Sequence, residues 1–163
     1  MKENKGDVIE KILKICTFMC FLGLICVVSF QVITRFLLPD ISQVWTEELT
    51  RFLFIFSVSF AAPLAMKKKE YVNVDILINL FPKKVREIIQ LIIYAVTIGL
   101  FSIVLFFGLE FAKLGINQSA PTMNIPMVYV FSAIPFMAAL VMGYTIYNVV
   151  QHIKDMKKRG EIS

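Results

Sequence analysis

Four charged side chains have types and spacing that would let them work together: Arg35, Glu47, Glu48 and Arg51. On a helix, Glu47 and Arg51 stand at i, i+4 and Glu48 and Arg51 at i, i+3, so both spacings set opposite charges on one face. Just upstream, Pro39-Asp40-Ile41-Ser42 has the composition of a turn, because proline fixes its own φ while aspartate and serine bond back to nearby backbone. The centre of that turn falls between Ile41 and Ser42, and Arg35 lies as far before it as Glu48 lies after it. Residues equidistant from the turn of an antiparallel helical hairpin share a depth, so Arg35 is expected to pair with Glu48 or Glu47. Such a cluster has two uses. It can form part of a path for ions or substrate, or it can clamp a hairpin near a membrane interface, with long side chains reaching toward water. No charge lies near the middle of any apolar run in the chain, which favours the clamp. Ser42 is placed to cap the second helix, acidic groups in its first turn complement the helix dipole, and Trp45 reads as an interfacial anchor.

Other chemistries lack their residues. His152 is the sole histidine, so paired axial ligands for a haem are not available. Cys16, Cys20 and Cys26 all fall in one apolar run without a Cys-x-x-Cys pair, as expected of thiols packed among hydrocarbon. No Ser-His-Asp or Cys-His set can form on the side opposite His152. Asn117-Gln118-Ser119 matches a glycosylation sequon, but it lies almost in the headgroups and reads as incidental. A small exchanger or pump keeps a carboxylate deep in the bilayer for its coupling ion; the nearest case, Glu110, sits near the end of its run. Pro63 and Pro135 can each kink a helix, yet neither sits in the Gly-rich broken segment that builds a midplane site. No cofactor and no catalytic residue is expected.

The elements that carry these residues follow from composition. Apolar residues make up 58% of the 163, and Phe alone occurs 15 times, more than a soluble domain of this length can hide. The apolar residues are also blocked. Residues 15–34, 52–66, 88–109 and 125–150 carry no charge at all. About 20 helical residues at 1.5 Å each cross a hydrocarbon core of roughly 30 Å, and the runs lack the alternation of a barrel strand. The sequence therefore predicts an all-α integral membrane protein, a single membrane domain over residues 1–163. Its four transmembrane helices are expected at about 12–38, 45–66, 86–112 and 125–150. The first run is longer than the apolar core of a secretory signal and has no small-x-small site after it, so it is expected to stay as an anchor.

The net charge of +5 is gathered at three places. Lys2, Lys5, Lys11 and Lys14 precede the first span; Lys67, Lys68, Lys69, Lys83, Lys84 and Arg86 lie between the second and third; Lys154, Lys157, Lys158 and Arg159 follow the fourth. Basic residues concentrate in cytoplasmic loops, so both termini and the middle loop are expected in the cytoplasm. Attraction to anionic lipid headgroups accounts for the charge, and no aromatic-basic module suggests nucleic acid. In the middle loop, Val72, Ile76, Leu77, Leu80 and Phe81 recur at helical spacing, which predicts a short amphipathic segment lying in the interface. Asp75 is placed to cap it. Pro82 ends it and suits the start of the third helix, where Arg86 meets the headgroups. The loop contains no glycine, which argues against a nucleotide site.

The order Arg35, Trp45-Thr46-Glu47-Glu48-Leu49-Thr50-Arg51, Val74-Asp75, and Pro82 with Arg86 resembles the small, DctQ-type membrane subunit of TRAP transporters, the tripartite ATP-independent periplasmic transporters. Ser119, Ile125-Pro126, Tyr129 and Ile134-Pro135 add to the resemblance. Members often carry a histidine where this chain has Tyr71, and a Gly-containing stretch where it has Ala61-Ala62-Pro63. The resemblance implies a multi-pass protein of the bacterial inner membrane that works with a large TRAP membrane subunit and a periplasmic substrate-binding protein. It further implies sodium-driven import of organic anions such as C4-dicarboxylates or sialic acid, with the sodium and substrate sites in the large subunit. The small subunit would brace the large one as a scaffold, with Arg35, Glu47, Glu48 and Arg51 holding the first hairpin and Asp75, Pro82 and Arg86 setting the inner loop. The alternatives are a stand-alone small transporter or channel, and an assembly subunit of another membrane complex.

Overall fold

The structure, a computed structural model, describes residues 5–37, 44–67 and 82–160. Four long helices account for nearly all of it: α1 (Lys5–Leu37), α2 (Val44–Lys67), α3 (Lys83–Leu114) and α4 (Val128–Gly160). Each is long and apolar enough to cross a membrane. One 3-10 turn, Gly115–Asn117, leads out of α3. Lys5 and Gly160 mark the terminal end of the molecule, and residues 115–127 mark the opposite, loop end.

The helices differ from the expected spans at the start of α1, which begins at Lys5 rather than near residue 12, and at both ends of α4. Helix α4 begins at Val128 because the residues before it are already bonded into a small hairpin. Ser119 and Pro126 form an antiparallel bridge. The Ala120 amide donates to the Ile125 carbonyl at 2.9 Å, and the Met127 amide to the Gln118 carbonyl at 2.9 Å. Asn124 turns the hairpin at φ 55°, a left-handed conformation that asparagine tolerates better than most residues. At its other end α4 continues to Gly160, since residues 151–159 contain neither proline nor glycine and cations favour a helix C-terminus. Before α3, Pro82 stands at the N-cap with φ −56° and ψ 147°. Its carbonyl accepts the amides of Val85 at 2.9 Å and Arg86 at 3.1 Å. The amphipathic segment expected over residues 71–81, with Asp75, lies outside the described residues.

The helices pack in the order α1, α2, α4, α3: α1 lies along α2, α2 along α4 and α4 along α3, while α1 makes no substantial contact with α3 or α4. Toward the terminal end α2, α3 and α4 converge on Met66, Tyr94 and Val141, with Phe101 and Met137 around them. Toward the loop end a second cluster joins Phe52 of α2 to Ala120 of the hairpin and Val130 of α4. Hydroxyls along the spans bond to carbonyls of their own helix: Thr17 to Leu13 at 2.8 Å, Thr97 to Ile93 at 2.8 Å and the fully buried Thr145 to Val141 at 2.7 Å. In hydrocarbon this is the nearest acceptor a threonine has.

Two glycines mark close approaches. At Gly108 of α3 a Cβ would stand 3.3 Å from Cδ of Pro135 of α4, so the absent side chain lets the two helices touch. At Gly115 a Cβ would meet the Val128 amide nitrogen at 2.7 Å and its Cα at 2.8 Å. Backbone has nowhere to retreat there, because α4 starts at that residue. Gly115→Ala is therefore expected to displace the hairpin and to lower stability by about 1–3 kcal/mol. A denaturant titration in mild detergent would show this, and an unchanged midpoint would contradict the close packing of α3 on the start of α4.

Candidate functional site

The structure gives Glu48 a partner other than the expected arginine. Its carboxylate sits in the hairpin between α3 and α4. It accepts the Thr122 amide at 3.1 and 3.3 Å, the Thr122 hydroxyl at 3.1 Å and the Met123 amide at 3.1 Å. Two successive amides turned toward one point make a concavity suited to an anion, and the anion here comes from α2. Beside this bond, Phe52 and Ile55, one and two turns further along α2, pack under Ala120 and Met123. Charge and apolar contact thus fasten the hairpin to α2 together.

The other members of the expected cluster lie nearby without joining it. Arg35 is exposed in the last turn of α1 and Glu47 is exposed in the first turn of α2. Arg51 and Trp45 are exposed on α2. Among the described residues, no ion pair links Arg35, Glu47, Glu48 or Arg51 to one another. Equidistance from a turn fixes depth but not direction around the helix axis, and Glu48 faces the hairpin. Pro82 and Arg86 are exposed at the start of α3.

At the terminal end α2 is fastened twice more. The buried Asn148 of α4 donates from Nδ2 to the Met66 carbonyl at 3.0 Å. That carbonyl lies in the last turn of α2, where the carbonyls have no amide donor in their own helix. Glu10 of α1 accepts from Lys67 Nζ at 2.5 Å and pairs with Lys14 as well, so the end of α2 is also held to α1. Close by, the buried Tyr94 stands edge-on to the His152 ring, with centroids 6.2 Å apart. Sequence reasoning does not single out Glu10, Asn148 or the Thr122–Met123 turn. Only Asn148 carries a signal, since a carboxamide inside an apolar run needs a partner in lipid.

This arrangement joins helices to one another. Among the described residues no group of His, Cys, Asp or Glu is placed to hold a metal ion. The polar contacts gather at the helix ends, and α2 takes part in those at both.

The family described as "Tripartite ATP-independent periplasmic transporters, DctQ component" matches residues 24–155, which takes in α2 and α3 whole, most of α4 and the second part of α1. The chain belongs to the DctQ family. This DctQ protein is a multi-pass protein of the inner membrane and a transport component, not an enzyme. It is 26% identical to a putative TRAP transporter small permease protein of Haemophilus influenzae, over 94% of this chain and 90% of that one. It is 28% identical to the sialic acid TRAP transporter small permease protein of Vibrio cholerae, over 76% of each. It is also 27% identical to the isethionate TRAP transporter permease protein of Oleidesulfovibrio alaskensis, over 70% of this chain but 19% of that one. The DctQ chain thus spans about a fifth of that longer permease and most of the small ones.

Two substitutions test the fastenings. Glu48→Ala removes the acceptor of three donors at a half-exposed site, which should cost about 1 kcal/mol and speed hydrogen exchange at the Thr122 and Met123 amides roughly fivefold; unchanged protection would mean the hairpin stands without α2. Asn148→Leu leaves the Met66 carbonyl buried and unpaired, with an expected loss of about 1–3 kcal/mol in unfolding measurements, and an equal or higher stability would mean that Asn148 does not fasten α4 to α2.

Proposed function

We propose that this DctQ protein is the stationary scaffold of a sodium-coupled TRAP transporter that imports organic anions. The loop end would face the periplasm and both termini the cytoplasm, following the basic flanks. A large membrane subunit would carry the sodium and substrate sites and do the moving, and a soluble binding protein would deliver the substrate. The relatives named for sialic acid and isethionate suggest a carboxylate or sulfonate as substrate class.

One observation carries the reading. Residues 15–34, 52–66, 88–109 and 128–151 hold no Asp, Glu, Lys, Arg or His. A transporter that couples to an ion keeps such a group at mid-depth, and a scaffold has no use for one. The ties from α2 to the hairpin, to α4 and to α1 support the mechanical side. A fixed wall resists deformation best when its central helix is fastened at both ends. The expected pairing of Arg35, Glu47, Glu48 and Arg51 remains part of this proposal as a cluster of charge at one depth, with Glu48 turned to the hairpin. Within it, the outer loops over residues 38–44 and 115–124 are where the binding protein would dock, and Glu48 holds the second of them through Thr122 and Met123.

The purified chain in liposomes is expected to take up no organic anion across a sodium gradient. Adding the large membrane subunit and the binding protein should give sodium-dependent uptake of a carboxylate or sulfonate. Uptake by the isolated chain would overturn the scaffold reading and favour a stand-alone transporter.

A further inference from the structure

The serial packing leaves spaces between the helices unfilled, and one of them is walled by three helices. Between α2, α3 and α4 lies a cleft of about 600 Å³, walled by Phe56 and Phe60 of α2, Leu105 and Leu109 of α3, and Phe136 and Ala139 of α4. Below it, toward the terminal end, the three helices close on Met66, Tyr94 and Val141. Above it, the Phe52, Ala120 and Val130 cluster ties α2 to the hairpin and α4, and the rings of Phe111 and Phe131 join α3 to α4 with centroids 4.2 Å apart. What remains open is the side.

Three constraints narrow the occupant. The lining is carbon but for two serines, and the Ser132 hydroxyl already donates to the Tyr129 carbonyl at 2.8 Å. Water entering would find almost no partners, and apolar cavities of this kind stay dry. The cleft runs along α3 from Leu105 to Ala112 and along α4 from Ser132 to Ala139, about 10 Å of helix. That is less than the roughly 15 Å depth of one leaflet, half of the hydrocarbon core. A partner's transmembrane helix crosses both leaflets and is about 10 Å wide, so a slot closed above and below cannot receive it. A flexible hydrocarbon chain can bend in from the side. The walls suit it, since Phe56 and Phe60 stack at 6.2 Å and Phe60 meets Phe136 edge-on at 6.5 Å, giving a firm aromatic surface for many small dispersion contacts.

We propose that the cleft between α2, α3 and α4 is a binding site for one acyl chain of a phospholipid drawn from the leaflet at the loop end. The bound chain fills the gap that the helices leave where they stand apart, and so completes the wall that they close by themselves above and below it. The inference rests on the chain's membrane location and not on the scaffold reading or on any substrate.

The test uses the whole membrane complex, reconstituted in vesicles of phosphatidylethanolamine and phosphatidylglycerol. The probe is phosphatidylcholine with a diazirine part-way along one acyl chain. After irradiation, adducts on this chain are mapped by mass spectrometry. Labelling at Phe56, Leu109 and Phe136 is expected to exceed that of the most strongly labelled exposed position elsewhere, among Phe18, Ile92 and Val96, by roughly fivefold. Ala139→Phe, which fills the cleft from its exposed rim, should bring labelling down to that background while the two membrane subunits still co-purify; Ala139→Leu serves if the larger side chain prevents assembly. Equal labelling of cleft and outer faces would mean ordinary surrounding lipid and would overturn the site. An unlabelled cleft in the unaltered complex would mean that side chains of the large subunit occupy it, and would overturn it equally.

Discussion

A helix in hydrocarbon satisfies its own backbone everywhere except at its two ends, where the first amides and the last carbonyls are left over. The polar chemistry of this chain follows from that constraint. Along the spans, hydroxyls return to carbonyls of their own helix; at the ends, helices are joined to one another. The Met66 carbonyl takes Asn148 of α4, Lys67 takes Glu10 of α1, and at the opposite end Glu48 takes two amides of the hairpin. Since α1 packs substantially on α2 alone, α2 is the element through which the rest of the chain is connected. Its ends hold more than its middle does.

The serial order has a mechanical consequence. A closed four-helix bundle shares its core among all its members, and loosening one helix exposes the others. Here the two edge helices bury little of themselves within the chain, and the inner pair, α2 and α4, bury more. Broad apolar faces on α1 and α3 are left for lipid or for a neighbouring subunit, with Phe18, Ile92 and Phe106 among the exposed residues. A membrane component that works beside another one gains surface from this layout. Near the terminal end the cluster around Tyr94 joins α2, α3 and α4, and near the loop end the hairpin joins α2 to α4.

The four spans were legible because hydrocarbon imposes a simple rule on composition: a stretch of twenty or more residues without a charge, as at 15–34 and 88–109, matches the thickness of a bilayer core. The start of α4 was not. Ile125, Pro126 and Met127 are as apolar as the helix that follows, and only the bridge to Ser119 and the bond to Gln118 show that they belong to the hairpin. The charged cluster was legible in depth and not in direction. Arg35 and Glu48 were placed at one level by counting from the turn, but which way Glu48 faces depends on where α4 packs, and that depends on contacts far apart in sequence. Asn148 and Glu10 were hidden for the same reason, because each acts on a helix that sequence distance does not bring near.

The polar groups that do lie within the spans decide what the chain can be. A charge at the centre of a bilayer costs about 2.5–3.5 kcal/mol by insertion measurements, a penalty that persists only where the group serves a cycle of binding and release. This chain carries none there, and three of the neutral polar side chains that it buries already donate to backbone carbonyls. Ser57 donates to the Phe54 carbonyl, Thr145 to the Val141 carbonyl and Asn148 to the Met66 carbonyl. To turn its amide toward a passing solute, Asn148 would have to give up the bond that joins α4 to α2. Binding there would loosen a contact between helices, a coupling that suits the proposed scaffold better than a carrier.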